Sequence, residues 1–549
     1  MKRQVIVIGL DGATFDIIDP LVDEGHLPTI ADLVSRGTKG RLSSTIPYAT
    51  MPAWPSFMTG KNPGKHGVFD FFSIAGGRRH LSTSQDIRAK TLWEILSGAG
   101  KRSIVMNVPG TYPPARINGV VVSGMLTPAD AEFASPPDVK GFLDQATDGY
   151  RINSRSHLSG RKLVDDVLEV TEKQKRGFVA LLRREDWDCA MVMFRATDVI
   201  PHHFWQKQNL IRECYHYIDA FVGEIVSAFP YAAIFLISDH GLQAQPSDFH
   251  INKWLIDDGY MSIKIGHASQ VSRWEEIGGL EGRAQLAESH LRPSNAFRVL
   301  LRMGFTGRSL RKVMPRAWWN ALKRSVPRSI KDHIPATDDA AYDVDWDHTL
   351  ASAYQLYTRE SKAIKIVNLD QRSREGVCAE LVEKLGSLRD PQTGGPIVRR
   401  AYRREELYEG PYVDQAPDII LDLHDGYNLT NAFFADDYVT SRDEVRGCHH
   451  REGIFLACGD DIERGKGLGY HPSLLDVMPT VLHYLESPVP DDCDGRVLKE
   501  ILESGSEPHL REVVYEAMDW EGRGGDRSAP YGDDEQAEIE ERLRALGYL

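Results

Sequence analysis

The chain has 549 residues, enough for one large core or several domains. With 42% hydrophobic and 26% charged residues it has a globular composition without bias toward disorder. A net charge of −14, from 65 basic and 79 acidic residues, argues against a general nucleic-acid coat. The six cysteines, Cys189, Cys214, Cys378, Cys448, Cys458 and Cys493, contain no C-x-x-C pair and read as reduced intracellular thiols. No apolar stretch reaches the roughly 20 residues needed to span a bilayer. The N-terminal apolar run stops at Asp11-Gly12, too early for a signal peptide. A cytoplasmic protein is expected.

In chain order, residues 5–10 read as a strand and 27–36 as a helix with apolar residues at helical spacing. A helix over 92–98 ends at Gly-Ala-Gly, and strands follow at 103–108 and 120–123. A long amphipathic helix over 163–184 precedes a strand over 189–194. A helix over 215–229 then leads to a strand over 232–237. Apolar strands alternating with helices predict an α/β fold with a mostly parallel central sheet covered on both faces. Ligands of such sheets bind beyond the carboxyl ends of the strands.

The middle of the chain breaks this pattern. Residues 292–331 hold eleven Arg or Lys and no Asp or Glu, interleaved with Phe297, Leu300, Leu301, Trp318, Trp319 and Leu322. A helix-rich basic insertion or cap over 266–345 is expected, its apolar stripe packed on the core. The alternative is a face for an anionic substrate or an acidic lipid surface. Strand-like sequence resumes at 351–357, 363–368, 418–423 and 453–457. The expected division is therefore 1–265 and 346–505 as two parts of a catalytic core, with 506–549 as an extension. That extension has a loose stretch over 519–534 and a terminal helix carrying Ile539, Leu543 and Leu546 on one face.

Chemistry concentrates at the strand ends. Asp11 ends the first strand, Asp198-Val-Ile-Pro-His202 follows the strand at 189–194, and Asp239-His240 ends the strand at 232–237. Carboxylate and imidazole together suit zinc or a similar first-row ion. Two metals about 3.5–4 Å apart can serve the entering and leaving oxygens of a phosphoryl transfer. With His449 downstream, the chain offers six ligands: Asp11, Asp198, His202, Asp239, His240 and His449. Thr50 is the candidate nucleophile. Pro52 suits a helix first turn, so the Thr50 hydroxyl lies beside free backbone N–H groups, a natural anion site. A threonine is also a common N-cap, and its hydroxyl attacks only when a metal or base activates it.

Five blocks carry a resemblance. They are Gly9-Leu-Asp11-Gly12, Thr50-Met-Pro52 through Gly60 to His66-Gly67, Asp198-x-x-x-His202, Ser238-Asp239-His240-Gly241 and Gly447-x-His449. In this order the chain resembles the alkaline phosphatase superfamily, in its type I phosphodiesterase/nucleotide pyrophosphatase branch. The resemblance implies that Asp198, His202 and His449 hold one divalent ion and Asp11, Asp239 and His240 the other, zinc first and manganese second. It also implies that Thr50 contacts a metal and becomes a phosphothreonine, which water then hydrolyses. The D-x-x-x-H spacing selects His202 over His203, and the G-x-H match selects His449 over His450.

One position departs from that branch. Where it usually carries an asparagine that helps bind a phosphoryl oxygen, this chain has Phe71, which cannot donate the hydrogen bond. Lys61, Asn62 and Lys65 are the candidates for the missing contact, and each also reads as a solvated loop residue. The expected function is hydrolysis of a small phosphodiester or phosphomonoester, with no specific nucleic-acid partner. Phosphoryl transfer to another alcohol, as in a mutase, is the alternative within enzymes. A silent metal-holding protein that binds an anionic partner is the alternative outside them.

Overall fold

The structure, a computed structural model, describes residues 2–75, 78–265, 342–354, 362–369, 372–433, 435–518 and 531–546. The basic stretch 292–331 and most of the expected insertion lie outside the described residues, as does most of the stretch 519–534.

A nine-stranded sheet organises the core. Its spatial order is Lys466–Gly467, Gly37–Ser43, Glu452–Cys458, Ala233–Ile237, Val5–Leu10, Cys189–Phe194, Ser103–Met106, Gly119–Val122 and Ala134–Ser135. The five strands from Ala233–Ile237 to Gly119–Val122 run parallel. Glu452–Cys458 is antiparallel to both its neighbours, and Ala134–Ser135 is antiparallel at the other end. Val5–Leu10 and Cys189–Phe194 are buried along their whole length, as strands with both faces covered must be. The 24-residue helix Arg161–Arg184 packs its apolar stripe of Leu163, Val164, Val167, Phe178 and Leu181 against this sheet.

The later strands build something else. Ala351–Ala353, Ala363–Ile366, Ile419–Leu423 and Val398–Arg403 form a separate antiparallel sheet of four. Helix Arg374–Ser387 covers it with Val377, Leu381 and Leu385, and the cluster extends to Phe249, Trp254 and Leu255. These strands pair only with one another because their apolar faces meet this helix, so the chain rejoins the large sheet only at Glu452–Cys458. A long antiparallel ribbon, Gly241–His250 with Val439–His450, connects the two regions. The terminal helix Asp533–Leu546 buries Ile539, Leu543 and Leu546 in the main core, and Arg542 donates to the carbonyls of Met125 and Thr127. Among the described residues, no helix is long and apolar enough to cross a membrane.

Candidate metal centre

Three parallel strands end side by side and release their ligands at the same edge. After Leu10 the chain turns at Gly12, with φ +66°, and an added Cβ there would meet Asp198 Oδ1 at 3.0 Å. Glycine is therefore needed for both the turn and the close approach. The Asp11 amide donates to the Phe194 carbonyl at 3.0 Å, and the Thr197 hydroxyl donates to the Asp11 carbonyl at 2.7 Å. Helix Ala196–Phe204 begins directly after its strand, so Asp198 in the first turn and His202 one turn later share a face. Their side chains meet, with His202 Nε2 3.0 Å from Asp198 Oδ1.

Asp239 and His240 follow the third strand, and the ribbon then brings back His449. Its register sets Leu242 opposite His449 and Gly241 opposite His450. Alternation along a strand turns successive side chains to opposite faces. His449 Nε2 accordingly lies 3.5 Å from Asp198 Oδ1, while His450 turns away to Asp425, 3.7 Å distant. The His449 ring stacks on His240 with centroids 3.7 Å apart. His240 Nε2 stands 3.3 Å from Asp239 Oδ2, 3.6 Å from Asp11 Oδ1 and 3.5 Å from the Thr50 hydroxyl. Thr50 opens helix Thr50–Thr59, every residue of which is buried.

The tautomers follow from the neighbours. His449 Nδ1 faces the Tyr48 carbonyl at 3.3 Å, and His240 Nδ1 faces the Gly241 carbonyl at 3.1 Å. A carbonyl only accepts, so each Nδ1 carries a proton, and each Nε2 is left facing the carboxylates. Ligand atoms of Asp198, His202 and His449 lie within 4.8 Å of one another, as do those of Asp11, Asp198 and His240. Asp198 thus belongs to both groups, each of which could hold a metal ion. Asp239 borders the second through His240 while its Oδ1 accepts the Gly12 N–H at 3.3 Å.

The electrostatics fit bound cations. Both oxygens of Asp11 and Oδ2 of Asp239 are buried and accept no hydrogen bond among the described residues. Burial, reinforced by the charges of Asp239 and Asp198, pushes the Asp11 carboxyl well above the usual range. Burial and the Asp198 charge push Asp239 up to about 8. Burial also works against ionised Asp198, but the facing imidazoles of His202 and His449 outweigh it and hold this carboxyl well below the usual range. Burial, then the neighbouring His449, pushes His240 down. Three carboxylates and three imidazoles gathered at one sheet edge are the hard and borderline ligands of zinc or manganese.

Three sequence candidates sit elsewhere. Lys61, Asn62 and Lys65 follow the far end of the Thr50–Thr59 helix, about 15 Å from Thr50 at 1.5 Å per residue. Lys61 Nζ binds Asp492 at 2.5 Å, Asn62 donates to Asp494 at 2.7 and 2.8 Å, and Lys65 also pairs with Asp494. They clamp the 492–494 loop and do not supply the contact that Phe71 lacks; Phe71 itself is part of the core. Sequence reading missed Arg195, which precedes helix Ala196–Phe204, donates Nη1 to Asn153 at 3.1 Å and draws the Asp11 carboxyl downward against the larger effects of burial and acidic neighbours. Its place between an apolar run and Asp198 was the available signal.

No curated protein sequence matches the chain. Among solved structures, phosphonoacetate hydrolase from Sinorhizobium meliloti 1021 in complex with phosphonoformate superposes with a TM-score of 0.53 at 15% identity, covering 88% of this chain and 96% of that one. Inactive murine ectonucleotide pyrophosphatase/phosphodiesterase 5 in complex with AMP superposes with a TM-score of 0.50 at 11% identity, covering 91% and 100%. At such identities the likeness is one of fold. Residues 5–314 match the family model of type I phosphodiesterase/nucleotide pyrophosphatase. The chain therefore belongs to that family of phosphoric ester hydrolases.

Proposed function

We propose that the protein hydrolyses small phosphate esters at a two-metal site through a phosphothreonine formed on Thr50. Asp198, His202 and His449 would hold one divalent ion, and Asp11, Asp239 and His240 the other, beside Thr50. Bound there, the ions supply charge neutralisation for phosphoryl oxygens and acidify water for the second half-reaction.

The chain's own groups do the rest. Thr50 stands at the N-terminus of its helix, where unbonded backbone N–H groups can receive phosphoryl oxygens. Its hydroxyl faces Nε2 of His240. Attack by the Thr50 oxygen on phosphorus forms the P–O bond as the ester oxygen leaves with its electron pair and takes up a proton. Water then attacks the phosphothreonine, returning the hydroxyl and releasing phosphate or a phosphomonoester. The buried burden of Phe71 supports a substrate class different from that of nucleotide pyrophosphatases. The fourfold division of the chain at residues 265, 345 and 505 belongs to this proposal, the antiparallel sheet of Ala351–Leu423 being a lobe beside the catalytic part.

The observation that carries this reading is the group of buried carboxylate oxygens on Asp11 and Asp239 that, among the described residues, lack protein donors and lie beside His240, whose Nε2 also meets the Thr50 hydroxyl. Turnover of p-nitrophenyl phosphate and of bis(p-nitrophenyl) phosphate, with and without a chelator, tests it, together with acid-quench mass spectrometry of Thr50. Metal-independent turnover, or label on another residue, would overturn it.

A further inference from the structure

The loop that delivers Thr50, residues 44–49, is gripped from the antiparallel lobe. Tyr408, buried beside Phe69, donates its hydroxyl to the Ile46 carbonyl at 2.7 Å. Lys362 is 3% exposed, and its Nζ lies 3.6 Å from the centroid of the Tyr48 ring. That Nζ makes no hydrogen bond of ordinary geometry among the described residues, and Tyr48 is the group that it lies against. Lys362 is itself held rigidly, since its carbonyl accepts the Leu421 N–H at 2.7 Å inside the lobe's sheet. An apolar seam of Phe69, Tyr354, Ala363, Tyr408 and Ile420, with Ile46 against it, closes the same junction.

The consequences reach the metal centre by two short routes. Tyr48 precedes Thr50 by two residues, and its carbonyl is the acceptor that the His449 Nδ1–H faces. Partners that orient a ligand in this way typically matter 10–100-fold for metal affinity or activity. A buried cation over an aromatic face is also a strong form of that contact, because no water competes.

We propose that Lys362 and Tyr408 are positioning residues: by holding the backbone of Ile46 to Tyr48, the lobe aligns both the Thr50 hydroxyl and the His449 imidazole. This rests on the functional reading above for Thr50, but for His449 only on metal binding. The experiment uses the full chain carrying Lys362→Met, which keeps the stem and removes the charge, and Tyr408→Phe, which keeps the packed ring and removes one hydroxyl. Zinc titration of the metal-free proteins and aryl phosphate kinetics at saturating zinc are measured well below each melting temperature. Both variants are expected to raise the zinc Kd about 10–100-fold and to lower kcat at saturating zinc with KM within about twofold. Lys362→Met combined with Tyr48→Leu should be no worse than either alone.

A merely structural role would lower the melting temperature and leave Kd and kcat in place; that result, in Tyr408→Phe alone or in both, overturns the proposal. If the wild type turned over neither ester, the functional reading would fall, while the zinc Kd values would still decide whether the lobe positions His449.

Discussion

Two buried carboxylates, one in each region of the molecule, show how differently a fold can treat the same group. Asp418, in the antiparallel lobe, is 2% exposed and accepts the Ile366 N–H at 2.8 Å, with Arg374 bound to its other oxygen and Lys365 3.8 Å away. Asp11, at the edge of the large sheet, is fully buried, receives no donor on either oxygen among the described residues and faces Asp239 and Asp198. Burying a charge costs several kcal/mol unless partners compensate. The lobe supplies those partners from the chain and so uses its carboxylate for structure. The sheet edge withholds them, which leaves the compensation to something that binds.

The sharpest way to break this contrast is at the nucleophile. Thr50→Ala should lower turnover at least about a thousandfold while zinc content stays near that of the wild type, as read by kinetics and elemental analysis. Next comes the pair of carboxylates themselves. Asp418→Asn is expected to destabilise by about 2 kcal/mol, because Arg374 and the Ile366 amide lose a charged acceptor. Asp11→Asn is expected to stabilise the metal-free protein by about 1–2 kcal/mol by relieving repulsion, while abolishing activity. Denaturant unfolding of both metal-free variants checks the opposite signs; a shared sign would remove the contrast. Zinc should stabilise the wild type by about 2.7 kcal/mol at a hundred times its Kd and Asp11→Asn by much less, measured by thermal melts. The smallest effects belong to the adjacent histidines, His203 one step around the helix from His202 and His450 on the opposite strand face from His449. His203→Ala and His450→Ala should leave the zinc Kd within about twofold, whereas His202→Ala and His449→Ala should raise it at least about tenfold.

Much of the catalytic edge was legible because its signals are local. A wholly apolar run ending in Asp-Gly, an Asp and His four residues apart, and an Asp-His pair after another apolar run are each patterns within a dozen residues. The apolar runs alone place them after strand ends, whereas the helix Ala196–Phe204 that sets Asp198 and His202 on one face came only with the structure. Strand positions such as Cys189–Phe194 and the buried face of the terminal helix emerge the same way. The start of the helix at Gln208–Ala228 did not, because polar residues in its first turn hide the apolar stripe that begins at Leu210.

What local pattern could not carry is which distant surfaces meet. A short, mostly apolar strand such as Ile419–Leu423 fits either sheet, and only burial against helix Arg374–Ser387 decides that it joins the lobe. Lys61 and Asn62 look like free loop polars until Asp492 and Asp494, some 430 residues downstream, pair with them. Tyr408 and Lys362 carry no motif at all, and their contacts with Ile46 and Tyr48 arise only where two cores close on one loop. The candidate ligands and the positions of the strands along the chain were thus legible from short-range periodicity, turn geometry and side-chain chemistry. The pairing of remote faces was decided by the tertiary structure, since the free energy that selects it comes from apolar surface shared between segments that no local window contains.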